Sequence, residues 1–129
     1  MPKTAFEMTA QEWEAYHPAA AVERLAQQRK AQTARRRRQA WRVARQAAAL
    51  LRQEFGASRV VVFGSLAHRS WFTLWSDIDL AAWGIPAGRF YAAVAAITSL
   101  SPAFKVDLVD PADCLPRFRE AIDRGSIEL

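Results

Sequence analysis

Two aspartates with one residue between them, Asp77 and Asp79, stand in the run Ser-Asp-Ile-Asp-Leu. On an extended strand side chains alternate between faces, so both carboxylates project together while Ile78 and Leu80 turn the other way. Adjacent carboxylates repel, and a cation between them relieves the repulsion. An all-oxygen donor set suits Mg²⁺ or Mn²⁺. Upstream, Gly64-Ser65 follows the apolar run Val-Val-Val-Phe. Glycine lets backbone approach a ligand closely. A helix starting at Ser65 aims free amides and a positive dipole end at a phosphate, and the Ser65 hydroxyl adds a donor. Downstream, Asp107 alternates with Val106 and Leu108, which lets it stand beside Asp77 and Asp79 across a sheet. Three such acids can hold two metal ions about 3.5–4 Å apart, one activating an attacking oxygen and one holding a triphosphate.

The elements that must position these residues read as strand, turn and helix, repeated. Residues 59–63 form a buried-type strand and 76–83 a second one, closed by Gly84-Ile85-Pro86. An Ala-rich helix over 87–100 and a third strand over 104–109 follow. Asp110-Pro111 then predicts a helix over 110–124, with Asp110 as cap, Pro111 in the first turn and Gly125 as the stop. Cys114 reads as filler in that helix.

Residues 1–55 read as a separate helical, basic arm and 56–129 as the α/β domain. Thr9 and Glu12 fit a capping box, Trp13 and Tyr16 share a face, and Pro18 opens a second helix. From 19 to 55 there is no Gly or Pro, and Trp41, Ala44, Ala48, Leu51 and Phe55 form one apolar stripe. Gly56 supplies the left-handed stop. An unbroken helix of this length spans on the order of 50 Å, so its N-terminal half should project or dock on something else. Within it, arginines 35–38 run consecutively, followed by Arg42 and Arg45. Consecutive arginines spread around a helix, so a solvated face with stems over apolar surface is the first reading. Docking to an acidic partner comes next, and nucleic acid third.

The chain has 129 residues, half of them apolar, enough for one core, and a net charge of +5. Its single cysteine, Cys114, permits no internal disulfide, in keeping with a reducing cytoplasm. No apolar leader stands at the N-terminus, and no apolar run reaches the roughly 18 residues of a membrane span. The expectation is a cytoplasmic protein with no membrane partner. Ser65 lacks the Gly-x-Ser-x-Gly elbow of a hydrolase nucleophile. Trp71, Phe72 and Trp75, between the two motifs, suit either base stacking, partner docking or core filling.

In this order, Gly64-Ser65, Asp77-Ile78-Asp79 and Asp107 resemble the signature of the DNA polymerase beta-like nucleotidyltransferase superfamily. More narrowly, they look like its minimal nucleotidyltransferases, often the antitoxin half of a pair with a HEPN-type ribonuclease toxin. The resemblance covers about residues 56–124. It implies the nucleotidyltransferase fold, a small mixed sheet with flanking helices. Asp77, Asp79 and Asp107 would be catalytic and hold Mg²⁺ (or Mn²⁺), Asp107 assisting the attacking hydroxyl. Gly64, Ser65 and Ser76 would contact the nucleotide. The implied reaction moves AMP from ATP to a hydroxyl of a helical, HEPN-type toxin partner. The family turn commonly reads Gly-Ser-Arg-Ala-Arg-Gly, whereas this chain has Gly64-Ser65-Leu66-Ala67-His68-Arg69. That departure motivates an alternative, a non-catalytic antitoxin or adaptor that neutralises its partner by contact.

Overall fold

The computed structural model describes residues 9–129, with the side chains of Glu14 and Tyr16 outside the described set. Residues 1–8 of the expected arm, and the expected Trp13–Tyr16 face, therefore lie outside it. The chain is mixed α and β. Its elements are helices α1 (Ala10–Tyr16) and α2 (Pro18–Phe55), strands β1 (Arg59–Phe63) and β2 (Ile78–Trp83), helix α3 (Phe90–Thr98), strand β3 (Val106–Val109), helix α4 (Pro116–Arg124) and strand β4 (Ile127–Glu128). The four strands form one open sheet in the order β3-β2-β1-β4. β1 runs antiparallel to β2 and β4, while β3 runs parallel to β2.

α1 begins as expected, the Glu12 amide donating to Thr9 Oγ1 at 3.2 Å. α2 ends at Gly56, whose φ of 74° places it in the left-handed region, and the Ala57 amide reaches back to the Leu51 carbonyl at 3.0 Å. The division between compact units falls between Ala34 and Arg35, inside α2, not at residue 55. The physical reason is packing. Ala40, Ala44, Ala47, Ala48, Leu51 and Phe55 are all buried in the core with the sheet. The small alanines let the helix approach the strands closely, so this part of α2 belongs to the same unit as the sheet.

Strand alternation divides the second unit into two layers. Val60 and Val62 of β1, Ile78, Leu80 and Ala82 of β2, and Val106 and Leu108 of β3 share a core with α2 and with Ala93 and Ile97 of α3. Val61, Phe63 and Ala81 face the other way, onto Ile122 and the half-buried Phe118 and Ala121 of α4. Burying side chains such as Leu51, Leu80 and Ile97 contributes about 1.5–3 kcal/mol each relative to exposure. Trp83 is half-buried on the α4 layer, with the Arg59 guanidinium 4.3 Å over its ring.

The helix expected from residue 110 begins instead at Pro116, with Leu115 as its cap. A helix started at Pro111 would carry Pro116 in its interior, losing a hydrogen bond and clashing with the preceding turn. The chain resolves the conflict as a turn. Asp110 Oδ1 accepts the Ala112 amide and the Asp110 carbonyl accepts the Asp113 amide, both at 3.0 Å. Cys114 lies in this turn rather than in a helix. Strand β4 has no counterpart in the sequence reading. It is held by Arg59 on Glu128 (2.5 Å), by Arg52 on the Leu129 carbonyl, and by the Leu129 amide on Val60. Among the described residues no helix is long and apolar enough to cross a membrane.

Candidate functional site

β1 and β2 pair so that Phe63 stands opposite Asp79, and β2 and β3 pair so that Asp79 stands opposite Asp107. Alternation turns Asp79 and Asp107 to the α4 layer, away from Ile78, Leu80, Val106 and Leu108 in the other core. The end of β1 and the starts of β2 and β3 thus meet at one place, where the topology assembles the Gly-Ser turn and two of the three acids. Asp77 lies just before β2, which begins at Ile78 rather than at residue 76.

Gly64 makes the closest approach. Its φ is 70°, and a Cβ added there would sit 2.5 Å from Asp79 Oδ2. Position 64 therefore needs glycine on two counts, backbone conformation and the carboxylate packed against it. Residues Gly64–Ala67 form a 3₁₀ turn, the short helix expected to start at Ser65. The Ser65 carbonyl accepts the His68 amide at 3.2 Å. Its hydroxyl has no hydrogen-bond partner among the described residues and is free to donate.

Asp79 carries the electrostatic signature of the site. Burial, then the charge of Asp107, then that of Asp77, push its carboxyl from 3.8 to about 6, with Lys105 opposing. Lys105 Nζ lies 3.9 Å from Asp107 Oδ1. Sequence reasoning passed over Lys105, although its position two residues before Asp107 puts it on the same face of the chain. Among the described residues no three His, Cys, Asp or Glu side chains are gathered closely enough to hold one ion. The carboxylates feel one another across the sheet without converging on a single point.

Ser76 is committed locally. Its Oγ accepts the Thr73 amide at 2.9 Å and lies 3.2 Å from Thr73 Oγ1. Its carbonyl accepts Arg36 Nη2 at 3.4 Å, while Arg36 Nη1 donates to the Ala103 carbonyl at 3.2 Å. Arg36 also covers the Phe104 ring at 4.2 Å. One arginine of the 35–38 run thus pins the loops leading into Asp77 and Asp107, a role its sequence context did not disclose.

His68 is a packing residue. Its ring stacks on Trp71 with centroids 4.0 Å apart, and a Cβ on Gly125 would lie 2.7 Å from its Cε1. Of the three aromatics in this loop, Phe72 fills the core, whereas Trp71 and Trp75 are exposed. A cavity of about 370 Å³ lined by Phe90, Tyr91, Leu108, Cys114, Leu115 and Phe118 includes none of the site residues. No family model and no curated protein matches the chain.

Proposed function

We propose that the chain is a Mg²⁺-dependent nucleotidyltransferase with the fold of the DNA polymerase beta-like superfamily, moving AMP from ATP to a hydroxyl of a partner protein. The observation that carries this reading is the contact of Gly64 with the Asp79 carboxylate, which has Asp107 paired beside it across the strands. The donor set fits a hard divalent cation: the acids offer only oxygen, and the perturbation of Asp79 is what a bound cation would relieve. When bound, Mg²⁺ would neutralise the triphosphate and the leaving pyrophosphate. Ser65 Oγ donates to a phosphate oxygen and Gly64 keeps the backbone clear of it. Asp77 and Asp79 would hold the cation. Asp107 accepts a hydrogen bond from the acceptor hydroxyl, with Lys105 balancing its charge. The partner on this reading is a helical HEPN-type toxin, and the resemblance alone supports that part.

A second reading is favoured by His68. Its ring is packed between Trp71 and Gly125, where the family turn carries a basic residue. A turn so filled suits a non-catalytic antitoxin that neutralises its partner by contact. ATP labelled at the α-phosphate, incubated with the chain, Mg²⁺ and host lysate, separates the two. Label that appears with wild type and not with Asp79→Asn supports transfer, and the labelled band is the acceptor. Partner neutralisation that survives Asp79→Asn without label supports the binding module.

A further inference from the structure

The 35–38 arginines do not act as a block. Arg36 is turned inward onto Ala103, Ser76 and Phe104, and Arg37 is half-buried beside Trp41, 5.8 Å from its ring. Arg35, Arg38, Arg42 and Arg45 are exposed, Arg45 with its guanidinium 5.6 Å from the centroid of the same Trp41 ring that Arg37 approaches. Their spacing of three, four and three residues puts them on one side of α2, in a row about 15 Å long at 1.5 Å per residue. The burial of two members of the run thus leaves a single directed cationic stripe.

That stripe is neither neutralised nor apolar. No Asp or Glu occurs between Glu23 and Glu54. Glu128, which lines the same hollow as Arg37 and Arg45, is held by Arg59 at 2.5 Å. Among the described residues none of the four outward arginines is ion-paired. Every exposed α2 residue from Arg35 to Arg45 is Arg or Gln, and Gln46 and Ala49 continue the surface. Protein interfaces favour arginine but anchor it beside aromatic or aliphatic side chains; here Trp41 and Ile127 lie in the hollow beside Arg45 at one end of the row and do not extend along it. Interfaces with nucleic acid have the composition found here, because arginine forks match phosphate oxygens and released counterions drive binding.

We propose that this face of α2 binds the sugar-phosphate backbone of a nucleic acid, without base-specific readout, through Arg35, Arg38, Arg42 and Arg45. The proposal is independent of the reading of Asp77, Asp79 and Asp107. The test uses the full chain, a fluorescent single-stranded RNA, a duplex DNA of equal charge, and polyglutamate as competitor, each across a salt series. Replacing all four arginines with Gln should lower RNA affinity on the order of 100-fold at 0.1 M salt and flatten the log–log salt slope by about 3, at roughly 0.7 per phosphate contact. Arg117→Gln and Arg124→Gln, on exposed arginines of α4, should change neither quantity. An unchanged circular dichroism spectrum and urea midpoint in the quadruple variant assign its loss to binding. No binding of either nucleic acid by wild type, binding retained by the quadruple variant, or polyglutamate competing as well as RNA at equal charge would each overturn the proposal.

Discussion

Asp79→Asn should make the metal-free chain more stable at neutral pH, although it removes a central site residue. The folded-state carboxyl ionises near 6, against 3.8 for the ordinary group. Between these values the folded chain binds more protons than the unfolded one, so stability falls as pH rises through that window. At 1.36 kcal/mol per pKa unit the full displacement corresponds to about 3 kcal/mol. The carboxylate is only partly withdrawn from water, and screening reduces the expected effect to about 1–2 kcal/mol. Asparagine keeps the shape without the charge, so the variant should exceed wild type by that amount at pH 8 and match it at pH 4. Urea denaturation followed by circular dichroism, in chelator from pH 4 to 8, reads the difference directly. Adding Mg²⁺ at pH 8 should then raise wild-type stability, by about 1.4 kcal/mol at ten times the dissociation constant, and leave the Asp79→Asn variant unmoved. A variant less stable than wild type at pH 8, or parallel pH profiles, would refute the electrostatic account of the site.

Four further outcomes are expected. Gly64→Ala forces a left-handed φ on a residue with a Cβ and pushes on Asp79; it should cost about 1–2 kcal/mol in urea denaturation and abolish nucleotide binding by calorimetry. Arg36→Gln removes the clamp on Ala103, Ser76 and Phe104, so the urea midpoint should drop by about 1–3 kcal/mol equivalent, while the salt slope for RNA stays as in wild type. Leu51→Ala opens a cavity in the α2–sheet core and should destabilise by about 2–5 kcal/mol, as read from the thermal midpoint. Mg²⁺ affinity should weaken about tenfold per pH unit below about 6, because a proton on Asp79 competes with the cation; a flat titration series between pH 4.5 and 6 would count against Asp79 as a metal ligand.

The first three strands and the helix between the second and third were legible, because buried β-branched runs bounded by glycine and proline leave few alternatives. So was the placement of Asp79 opposite Asp107 on one face of the sheet, which follows from alternation once their strands pair in parallel. Three features were not. Asp110-Pro111 carries a local helix-start signal, but Pro116 vetoes it, and the two prolines had to be weighed against each other. β4 is two exposed residues that exist only because Val61 and Val62 offer an edge and Arg59 offers a charge. The arginine run looked isotropic because inward and outward members are the same residue type; only the carbonyls of Ser76 and Ala103, distant in sequence, sort Arg36 from Arg35 and Arg38.

On the proposed reading, Gly64, Ser65, Asp77 and Asp79 hold a metal–nucleotide complex, with Asp107 beside them. The most direct test of that reading is calorimetric titration of the full chain with a non-hydrolysable ATP analogue at pH 8, with and without Mg²⁺, beside Asp79→Asn. Binding that requires Mg²⁺ and disappears in the Asp79→Asn variant, with that variant still folded, is the predicted result. Binding indifferent to Mg²⁺ or to Asp79, or no binding by wild type at millimolar nucleotide, would contradict it.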